Sequence, residues 1–246
     1  IPFATVNGNH EGHSSEQDEN GFACVSGYHF TMPNDDGISG HIMNDSTGNF
    51  WYRVDDVLLI GVNISVKNNK GNWRNLSPEV NDKYIEKAYS KNKDAKWKIL
   101  VNHVPSYAYI GGVDGPDMKP VLDYLCGKYD IDVVFTGHSH AFSVSYPILN
   151  GEVTTKEKDI TNPKGTVHYN VPAAMNHSFA KVSEFKDYIR TYGVEKSVAE
   201  KIENFEGIAY SSPMFTNVTV TPGEMCIYTL RTDTLEAIDT MKISKK

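Results

Sequence analysis

Three apolar runs in this sequence each stop at a polar motif that carries histidine. "IPFATV" runs into Gly8-Asn9-His10-Glu11, "WKILVN" into His103, and "IDVVFT" into Gly137-His138-Ser139-His140. Short continuous apolar runs bounded by turn signals read as strands buried on both faces. Between the second and third runs, Met118, Val121, Leu122 and Leu125 recur at helical spacing within 117–129. Strand, helix, strand is the rhythm of a sheet with helices packed on it. In such sheets ligands bind beyond the carboxyl ends of the strands, and all three motifs fall there.

The rest of the chain fits around that frame. "FWYRVDD" and "VLLIGVNIS" read as two strands joined by a tight turn at Asp55-Asp56, and "KNNKGNWRN" reads as a loop. Ser77-Pro78 supplies an N-cap and a first-turn proline for a helix with Tyr84, Ile85, Ala88 and Tyr89 on one face. "TVHYNV" reads as a strand after a polar insertion, "NGEVTTKEKDITNPKG". Residues 178–206 suggest two short helices split at Gly193. The tail alternates apolar and polar residues, with turns at Pro222-Gly223 and near Asp233, and reads as three antiparallel strands. No repeat or low-complexity linker interrupts residues 1–246, so a single domain is expected.

Composition narrows the function classes. A net charge of −7 with scattered Lys and Arg is not a nucleic-acid footprint. The apolar run "VLLIGV" is far too short to span a bilayer. Residue 1 is Ile inside an apolar strand pattern, so no leader is legible and the chain is expected to begin as a processed product. Cys24, Cys126 and Cys226 are far apart, which removes C-x-x-C metal and redox motifs; Cys126 and Cys226 are expected in the core. No nucleophile elbow supports a serine or cysteine hydrolase.

Histidine spacing points to metal chemistry. In extended chain, His138 and His140 project to one side, roughly 6.5–7 Å apart along the backbone. Their imidazoles could reach two ions about 3.5–4 Å apart, the separation of two-metal hydrolases. His103 could join one ion and Asn9 could offer an amide oxygen. Mixed N and O donors suit Zn, Fe or Mn rather than calcium. Each motif alone has a plainer reading: a hydrogen-bonded surface histidine, or an Asx-type turn at Asn9. His13, His29, His41, His168 and His177 gain no role from spacing, although His13 lies near the first motif; His168 alternates within a strand and reads as structural.

Taken together, "GNHE" (8–11), "VNHVPSY" (101–107) and "GHSH" (137–140) resemble the last three motifs of the calcineurin-like metallophosphoesterases. "GHSHAFSVSYPI" and "GTVHYNVPAA" (165–174) are similar to the purple acid phosphatase branch. The resemblance implies an α/β (α+β) fold, a metallophosphoesterase-type β-sandwich flanked by helices. It also implies that the first strands of that fold, with their Asp-x-His and Gly-Asp motifs, are missing from this numbering.

By the same resemblance, Asn9, His103 and His138 would ligate one metal ion and His140 a second. A hydroxide between the two ions would attack a phosphate ester in line. His10 would face the phosphate and protonate the leaving group, and Glu11 would orient a neighbouring group. The family's extra loop histidines have no counterpart in "AYIGGVDGPD", which leaves Tyr107, Tyr109 or Asp114 to shape the substrate pocket. The expected partner is a phosphate-ester substrate, with no nucleic acid and no membrane span. With four ligands and no carboxylate among them, these residues alone are expected to be weakly active or inactive, or to form a non-catalytic binding module of the same fold. Family analogy places the protein outside the cell or in its envelope. The Asn-x-Ser/Thr triplets at Asn44, Asn63, Asn75, Asn176 and Asn217 are compatible with that location.

Overall fold

The computed structural model describes residues 5, 6, 8, 49–63, 65–67, 73–75, 78–107, 118–139, 142–171, 189–192 and 213–246. The chain divides into two compact units, one of residues 1–104 with 114–131, the other of 105–113 with 132–246.

In the first unit, β1 (Phe50–Val54) and β2 (Val57–Gly61) form an antiparallel hairpin, turning at Asp55 with a left-handed φ of 48°. The chain then pairs β3 (Ser65–Lys67) with β4 (Trp73–Asn75). The sequence pattern had suggested a loop there; Trp73-Arg74-Asn75 instead forms the return strand of a short hairpin. Helix α1 (Pro78–Lys91) crosses over to β5 (Trp97–Val101), which lies parallel to β2. This β2–α1–β5 crossover is a βαβ unit that lies earlier in the chain than the strand, helix and strand of 97–137 that carry the sequence rhythm. Tyr84, Ile85 and Ala88 are buried on α1, as their spacing requires. The expected strand at the start of the chain is not seen at Thr5 and Val6, which lie outside any strand, and residues 1–4 are not among those described.

Helix α2 (Lys119–Tyr129) presents Leu122, Leu125, Cys126 and Tyr129 to the interior. It ends at Asp130 in the left-handed conformation, whose backbone N–H bonds back to the carbonyl of Cys126. Lys98 on β5 runs its aliphatic stem through the core and donates to the Asp130 carbonyl (3.1 Å), placing a cation at the helix's negative end. Asp82 ties α1 to α2, accepting from Lys128 (2.6 Å) and from the Tyr129 hydroxyl (2.6 Å). Burial works against the Asp82 carboxylate, yet these donors hold its pKa below the usual value.

The second unit contains two sheets. One runs in the order β6 (Val133–Thr136), β11 (Val167–Asn170), β7 (Ser143–Ser145), β12 (Ile189–Tyr192). Here β11 is parallel to β6 and antiparallel to β7. Strand β12 replaces helix at 189–192: Ile-Arg-Thr-Tyr is rich in β-formers, and β7 offers it a ladder. The remainder of 178–206 lies outside the described residues. A small hairpin, β8 (Ile148–Leu149) with β9 (Glu152–Val153), opens the polar insertion. The other sheet has the order β10 (Asp159–Thr161), β15 (Ala237–Ser244), β14 (Glu224–Arg231), β13 (Met214–Val220). The three C-terminal strands are antiparallel, as the alternation predicted, and β10 adds in parallel at one edge. Its buried face carries Met225, Ile227, Met241 and Ile243. Cys126 is in the core, whereas Cys226 is half-exposed on β14, where its thiol meets Glu224. Cys24 is outside the described residues.

The β1–β2 hairpin contains a demanding contact. Phe50 sits opposite Gly61, and a Cβ added at Gly61 would fall inside the Phe50 ring. Phe50 is itself buried, so the ring has little room to retreat. Gly61→Ala is therefore expected to destabilise the protein by about 1–3 kcal/mol in urea unfolding. A change near zero would show that the ring can move aside.

Candidate functional site

Two of the candidate residues each follow a strand end. His103 lies two residues past β5, in the first unit, and is half-buried. Its neighbour Asn102 is buried and donates from Nδ2 to the Val104 carbonyl (2.9 Å). The Oδ1 of Asn102 is buried with no hydrogen-bond partner among the described residues.

His138 lies two residues past β6, in the second unit, and is also half-buried. The Ser139 N–H bonds to the Gly137 carbonyl (2.7 Å), closing a three-residue turn with His138 at its centre. The φ of His138 is 64°, which puts it in the rare and strained hand of that turn. Ser139 is fully buried beneath it and accepts from the amide of Asn170, the last residue of β11. The Oδ1 of Asn170 in turn accepts from the Thr136 hydroxyl (3.4 Å).

The segment that follows His103 is held by a residue to which sequence spacing assigned no role. The Ser106 hydroxyl lies 3.4 Å from Nδ1 of His168, and the Tyr107 ring packs on the His168 imidazole at 4.8 Å between centroids. Tyr107, expected at the substrate pocket, is 3% exposed and engaged in this packing. His168 is therefore structural, as its strand position suggested, but its specific duty is to pin Pro105–Tyr107. His168 and Asn170 are two apart on β11 and so share a face. The signal for both lay in the "VHYN" stretch: two hydrogen-bonding side chains at strand spacing inside a buried strand.

Asn9, His10, Glu11, His140, Tyr109 and Asp114 lie outside the described residues. Of the expected ligands the structure thus places His103 and His138. No group of three or more His, Cys, Asp or Glu side chains gathers among the described residues. The two placed residues fit a transition metal in donor chemistry, since both are half-buried imidazoles at strand ends; a full ligand set needs residues outside those described.

Residues 1–142 match the family model of the calcineurin-like phosphoesterases, and the chain belongs to that family. The matched stretch includes all three histidine motifs. The chain is 26% identical over 226 residues to "Probable inactive purple acid phosphatase 27" of Arabidopsis thaliana, covering 81% of this chain and 34% of that protein. It is 22% identical over 190 residues to a nucleotide pyrophosphatase/phosphodiesterase of Hordeum vulgare, covering 74% and 50%. A purple acid phosphatase of Glycine max is 29% identical over 120 residues, covering 44% and 25%. The chain thus spans half or less of the length of these relatives. Among solved structures, the purple acid phosphatase PPD1 from yellow lupin seeds superposes with a TM-score of 0.70 at 18% identity, over 100% of this chain and 41% of that one. The likeness establishes a purple acid phosphatase-type fold.

Full burial draws the pKa of His168 from the ordinary 6.5 down to about 3. The unfolded chain takes up that proton near 6.5, while the folded chain resists it until about 3. The stability tied to neutral His168 is complete above 6.5 and lost as the pH falls through this window, at up to about 1.4 kcal/mol per pH unit. The denaturation midpoint is expected to fall on acidification from pH 7 to 4, and His168→Gln to flatten that dependence. An unchanged slope in the variant would assign the acid sensitivity to other groups.

Proposed function

We propose that this chain is the ligand-bearing part of a metal-dependent phosphoric ester hydrolase. The observation that carries this reading is the family match over residues 1–142, which takes in all three motifs in order. In this reading Asn9, His103 and His138 hold one metal ion and His140 contributes to a second. When bound, zinc, iron or manganese would supply Lewis-acid stabilisation of phosphoryl oxygens and a water-derived nucleophile near neutral pH. His10 faces the phosphate, offsets charge on the transferring group and donates its proton to the leaving alkoxide. Glu11 orients a neighbouring group. The half-buried settings of His103 and His138 support the reading, because partial burial keeps water from competing for a ligand nitrogen. By family analogy we also place the protein outside the cytoplasm or in the cell envelope.

A second reading has its own support: two of the relatives carry the word inactive in their names. In that reading the fold is kept as a binding module. The expected ligands are an amide and three imidazoles, with no carboxylate among them to neutralise a cation, so these 246 residues are expected to hold ions weakly and turn over slowly.

Hydrolysis of a chromogenic phosphate ester with added Zn²⁺ or Mn²⁺ separates the two readings, measured on this chain and on a version extended upstream. The enzyme reading expects chelator-sensitive turnover, weak here and stronger in the extended version. It also expects His103→Ala and His138→Ala to abolish turnover and His10→Ala to lower kcat by roughly a hundredfold or more. Turnover in neither protein would favour the binding module. Turnover indifferent to chelator and to all three variants would overturn the metal assignment.

A further inference from the structure

The His138 turn needs an external holder. A non-glycine residue at φ 64° in a three-residue turn is strained, and such a conformation persists only where its surroundings fix it. Among the described residues, Asn170 has a side chain placed to contribute to this. It is fully buried on β11, between β6 and β7. Parallel pairing sets Asn170 opposite Thr136, the last residue of β6 before the turn. The Thr136 hydroxyl shares its one proton between the Tyr169 carbonyl (3.1 Å) and Asn170 Oδ1 (3.4 Å). The contact to Oδ1 fixes which way the amide faces: with its oxygen toward Thr136, its Nδ2 is directed at the Ser139 hydroxyl. Ser139 also closes the turn through its own N–H.

We propose that Asn170 is the positioning residue of the Gly137-His138-Ser139 turn, gripping Ser139 so that His138 stays in its left-handed conformation. The link is specific in its parts. Asparagine both accepts from Thr136 and donates to Ser139, whereas alanine does neither. Serine at 139 is short enough to be buried while still offering an oxygen. Because His138 is read as a metal ligand, the consequence for metal binding rests on the function proposed above; the hold on the turn does not. Asn170 touches no substrate or ion in this account and acts only through the backbone it fixes.

Backbone ¹³C shifts of His138 in the metal-free full chain report the left-handed turn, and a zinc titration of the same samples reports the ligand set. In wild type the shifts are expected to mark a positive φ. In Asn170→Ala, and separately in Ser139→Ala, they move toward extended values. The double variant moves no further than Asn170→Ala alone, and signals of β13, β14 and β15 stay in place to show that the fold is intact. Zinc affinity falls by roughly tenfold to a hundredfold in Asn170→Ala. Wild-type shifts retained in both single variants would overturn the proposal, as would a double variant whose effects simply add. A turn that relaxes in the variants while zinc binds to none of the proteins upholds the role of Asn170 and sinks the metal reading alone.

Discussion

The pairing of β11 against β6 is the constraint from which the candidate site follows in the second unit. Parallel register places Val167 beside Val133 and Asn170 beside Thr136, so the ladder ends level with the turn that begins at Gly137. A one-residue slip would send His168 and Asn170 to the opposite face and the apolar residues between them to this one. The apolar residues guard against that slip: Val133, Val134, Val167 and Tyr169 are all buried. The hydrophobic register therefore fixes the positions of two polar side chains. His168 pins the Ser106–Tyr107 segment and Asn170 grips Ser139. The local chemistry is inexpensive because both groups stay neutral: His168 resists protonation until about pH 3, and Asn170 carries no charge.

The first unit is organised by charge at helix ends as well as by its core. Lys98 reaches the end of α2 at Asp130, and Asp82 joins α1 to Lys128 and Tyr129. These contacts fasten the two helices beside the β2–α1–β5 crossover, whose last strand delivers His103. Among the described residues no helix is long and apolar enough to cross a membrane.

Much of this was legible in the sequence because the signals were local. The Asp55-Asp56 turn, Pro78, the spacing of Leu122 and Leu125, and the alternation of the tail all act over a few residues. What was missed depends on partners distant in sequence. Trp73–Asn75 becomes a strand because β3 pairs with it, and Ile189–Tyr192 because β7 does. Cys226 looks like a core residue in a β-rich run but falls on the half-exposed face of β14. In the site, His103 and His138 were named from their strand ends. His168 and Asn170 were not assigned their roles, since their meaning lies in loops 62 and 31 residues away that only the sheet brings close.

Metal ligation by His103 and His138 is the claim on which the functional account turns. Crystals of the full chain grown with Zn²⁺ and measured at the zinc absorption edge address it directly. The account predicts an anomalous peak shared by the two histidines, about 2.0–2.1 Å from an imidazole nitrogen of each. Peaks confined to other residues, or none at either histidine under saturating zinc, would contradict it.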